Sequence, residues 1–189
     1  MSLELFEAQL RKAKIVKRGD YRYIVNTICE QEPPLEPAIL ADCAKRMLQK
    51  MKWQGATKIL TPEAMGIHIS TTISLKTSVP MIIATRRKKW TRDEIPVNYV
   101  CGYENGVLYL NGIKKGDKVL IIDDLISTGG TIISLVEAIK KIGAEVLDIG
   151  VIFNKVDYGG MRRLEKMGFR PKALLNVKLK GMKIEVKEC

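Results

Sequence analysis

The chain has 189 residues, enough for one domain with a substantial core and few for two. Its 46% hydrophobic and 28% charged residues suit a globular protein, and its longest apolar runs, Val119–Ile122 and Ile149–Phe153, are far too short to span a bilayer. The formal charge of +11 fits solvated surface lysines, a heat-adapted surface, a nucleic-acid partner or a polyanionic small ligand. Composition alone does not choose among them, although Phe and Trp are few and no nucleic-acid motif is present, so no nucleic-acid partner is expected. The opening MSLELFEAQL lacks the basic and apolar regions of a signal peptide, which makes a cytoplasmic, membrane-free location the expectation. Cys29, Cys43, Cys101 and Cys189 form no CxxC pair and His68 stands alone, which argues for free thiols and against zinc.

Residues 2–17 carry Leu3, Phe6, Leu10 and Ala13 at helical spacing and predict an amphipathic helix. YRYIVN (21–26) predicts a short strand, EQEPPLEP (30–37) a proline-broken loop, and Pro37 starts a helix running to about Trp53 before Gly55. Then strand and helix alternate: strand 57–61, loop 62–66, helix 67–76, strand 79–85, a polar segment 86–105, strand 106–112 and a turn at 114–117. Strand 118–123, helix 130–142, strand 145–153, a short helix near 159–167 and one or two terminal strands complete the chain. Strands alternating with helices of this length predict an α/β fold with a mainly parallel central sheet flanked by helices.

Residues Val119 to Thr131, VLIIDDLISTGGT, carry the strongest signal. A buried strand delivers Asp123 and Asp124 to a sheet edge, where adjacent carboxylates point to opposite sides and do not share one proton or metal face. One such acid could merely cap a helix; two beside a glycine-rich turn suit the vicinal hydroxyls of a ribose. Ser127, Thr128, Gly129, Gly130 and Thr131 then open a helix, combining backbone N–H groups, hydroxyls and the positive helix end into a phosphate-sized nest. The Walker pattern GxxxxGK[ST] is absent.

This run resembles the phosphoribosyl pyrophosphate (PRPP) signature of type I phosphoribosyltransferases, and weaker matches extend from about residue 20 to 165. The resemblance implies that Asp123 and Asp124 hold the ribose hydroxyls and contribute to catalysis, and that 127–131 hold the 5′-phosphate. It implies that Glu63, Ala64, Met65 and Gly66 form a pyrophosphate loop, often with a non-proline cis peptide, and that Arg87 and Lys88 of the basic run RRKK (86–89) contact pyrophosphate, sometimes across a dimer interface. Residues 90–104 resemble a mobile lid, in which Tyr99 and Tyr103 repeat a Tyr-x-x-x-Tyr pattern of adenine enzymes; Tyr103, with Arg87, is the expected catalytic group there. Ser127 departs from the hypoxanthine–guanine enzymes that carry Asp at this position and resembles the adenine and xanthine branch, so a general base must come from elsewhere or leaving-group stabilisation must carry more of the catalysis.

IGVIFNKVDYGG (149–160) resembles the segment in which a lysine, here Lys155, binds a purine 6-oxo group. An ammonium is donor-only and suits an oxo rather than an amino substituent. Asn26 is the second expected base-binding residue. Taken together, the resemblance implies a homodimeric purine salvage enzyme of one domain, 1–189, with a small hood from roughly 1–35 and 155–189. It implies Mg²⁺ held mainly by substrate and water, and a base that is hypoxanthine or guanine, with adenine or xanthine as alternatives. A PRPP-sensing transcriptional regulator is the competing class, but only about twenty residues precede the first predicted strand, too few for a winged-helix domain.

Overall fold

The computed structural model describes residues 2–102 and 104–189. Helix α1 (Ser2–Lys12) forms on the spacing of Leu3, Phe6 and Leu10, all buried. It is shorter than the predicted 2–17 because the chain turns into a hairpin ribbon, β1 (Ile15–Arg18) antiparallel to β2 (Tyr21–Ile24). Pro37 occupies the start of α2 (Pro37–Lys50), where its missing N–H is not needed, and Ile39, Cys43, Ala44 and Met47 form its buried face. The chain then alternates through β3 (Lys58–Pro62), α3 (Ile67–Thr77) and β4 (Met81–Ala84).

Two further strands, β5 (Ile95–Val100) and β6 (Asn105–Leu110), pair antiparallel as a separate hairpin. Residues 86–105 are therefore not structureless throughout: Val97 and Tyr99 alternate inward along β5, a period-two pattern that the flanking charges mask in the sequence. Strand β7 (Lys118–Ile126), helix α4 (Gly130–Ile142), strand β8 (Glu145–Lys155), helix α5 (Gly160–Lys166) and strands β9 (Lys172–Lys180) and β10 (Lys183–Glu188) follow. Both β7 and β8 run beyond their predicted ends, to Ile126 and Lys155, which carries site residues onto regular strand.

The main sheet has six strands in the order β10-β9-β8-β7-β3-β4, parallel except for the edge strand β10. The C-terminal strands expected to contribute to a hood thus extend this sheet, while the β1–β2 ribbon stands apart from it. Side chains of β7 alternate between two cores. Leu120 and Ile122 join Phe6, Met47, Ile69 and Phe153 on one face, whereas Val119 and Ile121 join Leu135, Ile139 and Leu108 on the other. A strand covered on both faces reads as a continuous apolar run, which is why VLII precedes the two acids. Among the described residues, no helix is long and apolar enough to cross a membrane.

Candidate active site

From the centre of the sheet the crossovers diverge: α3 leads from β3 outward to β4, and α4 leads from β7 outward to β8. Neighbouring parallel strands whose connections part in this way leave a crevice at their carboxyl ends. Two cavities open there. One is lined by Tyr21, Cys29, Glu30, residues 127–131 and Lys155, the other by residues 62–65, Arg86, Tyr99 and Glu104. Asp123 and Asp124 border both, so the two acids mark the junction between them.

Asp123 Oδ1 accepts a hydrogen bond from the Asp124 backbone N–H at 2.9 Å. Burial, reinforced by the charge of Asp124, holds the Asp123 carboxyl well above the usual aspartate range. Asp124 Oδ2 accepts a hydrogen bond from the Cys29 thiol at 2.9 Å. Burial also pushes the Cys29 thiol up, so it stays protonated and can serve as that donor. This thiol, which the sequence offered only as an incidental free cysteine, is a partner of a site carboxylate.

The turn after β7 is built by close backbone approaches. Gly129 takes a left-handed conformation (φ 76°) and α4 begins at the next residue, presenting its positive end to the crevice. A Cβ on Gly130 would lie 1.6 Å from the Val100 carbonyl oxygen, so the end of β5 sits directly on the start of α4. From beneath, Gly160 donates its N–H to Ser127 O at 2.9 Å, and a Cβ there would lie 2.3 Å from that same oxygen. Arg163 Nη1 donates to Thr128 O at 2.8 Å, and Tyr21 hydrogen-bonds the Ser127 side chain. The Thr128 hydroxyl is buried with no partner among the described residues, as expected of a group left for a ligand oxygen. Gly160 is a positioning residue that the predicted site lacked, although the Gly159–Gly160 pair stands in plain view after Lys155.

In the 63–66 loop the Glu63–Ala64 peptide bond is cis, as the resemblance implies. Glu63 Oε2 accepts the Arg86 backbone N–H at 2.8 Å, and a Cβ on Gly66 would lie 3.0 Å from Asp123 Cα. The loop therefore abuts the first acid. Of the basic run, the structure brings Arg86 to the second cavity, paired with Glu104 at 2.7 Å, and Tyr99 donates to the same carboxylate at 2.9 Å. Burial and this hydrogen bond push the Tyr99 phenol up to about 12. Arg87 and Lys88 lie on the exposed loop beyond, with Lys88 Nζ over the Trp90 ring at 4.6 Å, and neither lines a cavity. Four consecutive like charges carry no periodicity, and Glu63 with Glu104 selects Arg86 from among them. Tyr103 lies outside the described residues.

Lys155 is almost fully buried in the first cavity. Its ammonium donates to Arg22 O and stands 3.9 Å from the Tyr21 ring centroid and 4.6 Å from that of Tyr158. Burial lowers its pKa to about 8, so it remains mostly charged at neutral pH. Asn26 does not fill the role expected of it. Its Nδ2 donates to Ile24 O at 2.7 Å and Glu30 Oε2 at 3.2 Å, and its Oδ1 accepts the N–H groups of Ile28 and Cys29. These bonds commit both ends of the amide to the turn 26–30 and leave nothing for a base.

An α/β sheet with a glycine-rich turn at a helix start, two adjacent acids and a second polar loop at its switch point has the layout of a site for a phosphorylated ligand. A sequence model of the phosphoribosyl transferase domain matches residues 32–184, and the chain belongs to the phosphoribosyltransferase family. It is 42% identical over 183 residues to the hypoxanthine/guanine phosphoribosyltransferase of Methanocaldococcus infernus, covering 96% of this chain and 98% of that one. It is equally 42% identical, over 184 residues, to the protein of the same description from Methanocaldococcus jannaschii, with 96% and 99% covered. By structure it is similar to adenine phosphoribosyltransferase from Thermoanaerobacter pseudethanolicus (TM-score 0.76, 18% identity, 92% and 99% covered). It is likewise similar to the Trypanosoma brucei adenine enzyme solved with AMP, pyrophosphate and ribose-5-phosphate (TM-score 0.76, 19% identity, 96% and 83% covered).

Two outcomes test this geometry. Gly160→Ala places a methyl group against the backbone under Ser127, so ribose 5-phosphate should raise the Tm of the parent protein but not of the variant, while far-UV circular dichroism is preserved. Lys155 binds its proton more weakly folded (about 8) than unfolded (10.5), so the unfolded state holds more protons between those values and stability rises with pH across that window. The unfolding free energy of the parent should therefore gain on that of Lys155→Met from pH 7 to 9.5, as measured by urea denaturation; a flat difference contradicts the assignment.

Proposed function

We propose that this chain transfers the 5-phosphoribosyl group of PRPP to a free 6-oxopurine, hypoxanthine or guanine, releasing pyrophosphate and forming IMP or GMP. The observation that carries the base assignment is Lys155, a buried donor-only ammonium in the same cavity as Asp124 and Ser127. The description of the relatives at 42% identity supports it as well.

In this reading the purine N9 attacks C1′, the bond from C1′ to the pyrophosphate oxygen breaks with its electron pair leaving on pyrophosphate, and the N9 proton passes to water. Ribose spans the junction of the two cavities at Asp123 and Asp124, its 5′-phosphate rests in 127–131, and pyrophosphate lies against 63–66. C1′ gains positive charge as the leaving group departs, so the chain's task is to align the reactants and to stabilise pyrophosphate. The lining of the second cavity by residues 62–65 and Arg86 supports their serving this task. Arg87 and Lys88 join them only through movement of their exposed loop or across the interface of a homodimer. The net charge of +11 favours approach of a ligand with this many phosphates.

Mg²⁺ fits the site as a cation carried by its ligand. Among the described residues no group of three or more His, Cys, Asp or Glu side chains is disposed to hold a metal, and Asp123 and Asp124 are the acids that border both cavities. Substrate oxygens and water would hold most of the ion, with at most one of these two carboxylates turned toward it, and when bound it would neutralise charge on the leaving pyrophosphate. A cytoplasmic location belongs to the same reading.

Incubation with PRPP, Mg²⁺ and each of hypoxanthine, guanine, xanthine and adenine is the direct test. Nucleotide is expected from the first two bases, and activity on adenine alone would overturn the base assignment. Asp124→Asn should raise the KM for PRPP or lower kcat by about tenfold or more with no change in Tm.

A further inference from the structure

The turn that Asn26 holds ends at Glu30, a residue given no role so far. The Glu30 backbone N–H donates to Asn26 O at 2.9 Å, and Glu30 Oε2 accepts from the Asn26 backbone N–H at 2.9 Å and from Asn26 Nδ2 at 3.2 Å. Main chain and side chain are thus both locked onto one asparagine. Both of these bonds from Asn26 go to Oε2 and leave its other oxygen, Oε1, outside them. Glu30 directly follows Cys29, which is tied to Asp124, and it lines the first cavity together with Lys155. At one rim of that cavity stands a carboxylate, which only accepts, and deeper in stands an ammonium, which only donates.

We propose that Glu30 is a specificity-determining residue whose carboxylate accepts the N1–H of the purine, and in guanine also a 2-amino N–H, while Lys155 donates to the 6-oxo group. This rests on the 6-oxopurine reading given above. The edge of guanine offers an acceptor at position 6 and donors at positions 1 and 2, which is the complement of an ammonium and a carboxylate lining one cavity. Hypoxanthine keeps the acceptor and the N1 donor. Xanthine turns an oxygen toward the carboxylate at position 2. Adenine is mismatched twice, with an amino group facing the ammonium and an acceptor nitrogen facing the carboxylate. A site built around fixed polar groups rejects the wrong pattern because those groups are then left unpaired. Partial burial, with the charge of Asp124 added, raises the Glu30 pKa from its ordinary value, and the neighbouring Lys155 ammonium counters this, as for an acid facing a shared polar pocket. Asn26 has its place here too. It binds no base itself and holds the residue that does.

Steady-state kinetics of the full chain and of Glu30→Gln, with PRPP saturating and guanine, hypoxanthine or xanthine varied, test the assignment. Glutamine keeps the shape and the Asn26 contacts but carries one donor and no charge. Guanine kcat/KM should fall about ten- to a hundredfold, chiefly through KM, and hypoxanthine should fall less. Xanthine should hold or gain, since the amide can donate to its 2-oxo group, and the KM for PRPP should stay within about twofold. An equal loss on every base, or no loss on guanine, overturns the role of Glu30 while leaving the 6-oxopurine reading intact. A parent enzyme that uses adenine alone overturns both. Glu30→Ala should show the guanine loss without the xanthine gain, and a gain there contradicts the donor argument.

Discussion

Two carboxylates sit side by side where β7 meets the divergence of the sheet, and the arrangement around them follows from the cost of keeping them there. A buried acid needs donors or it takes up a proton. Asp123 is supplied by the backbone of its neighbour and Asp124 by a thiol, neither of which brings a positive charge. The nearby cations are committed elsewhere, Arg86 to Glu104 and Lys155 to a carbonyl and two aromatic rings. Among the described residues neither carboxylate is paired with a cation, and both face the two cavities that meet at them.

The contiguous parts of this site were readable before any coordinates. A strand, two acids and STGGT lie within thirteen residues, so local chain geometry alone sets their relative positions. The α/β architecture followed from the alternation of apolar runs with helical spacing. What escaped was decided between distant segments. Arg86 rather than Arg87 lines the second cavity because two glutamates, 23 and 18 residues away, bond it. Asn26 has the right chemistry for a base and lies close to the cavity, yet its amide is consumed by its own turn, and it is Glu30 that lines the cavity. Gly160 matters through a contact with Ser127 that no local pattern announces.

The two cavities also differ in how they are bounded. The first is walled by the β1–β2 ribbon, whose Tyr21 and Arg22 touch Ser127 and Lys155, and by β8. The second is walled by the β5–β6 hairpin, which rests on α4 through Val100 and Gly130. Both walls are two-stranded elements outside the main sheet, so the rigid sheet supplies the acids and the less embedded ribbons supply the enclosure.

Arg86 joins these parts. Its backbone is gripped by the 63–66 loop and its guanidinium by the β5–β6 hairpin, so one residue rivets a fixed loop to a separate hairpin. Half-exposed ion pairs of this kind are worth about 0–1 kcal/mol, little enough for a multiply charged ligand to break. Val97, Tyr99, Leu108 and Leu110 stay buried in the core and Val100 rests on Gly130 whatever the guanidinium does, so Arg86 is one tie among several between the loop and the hairpin, and the one whose partner is cheapest to exchange.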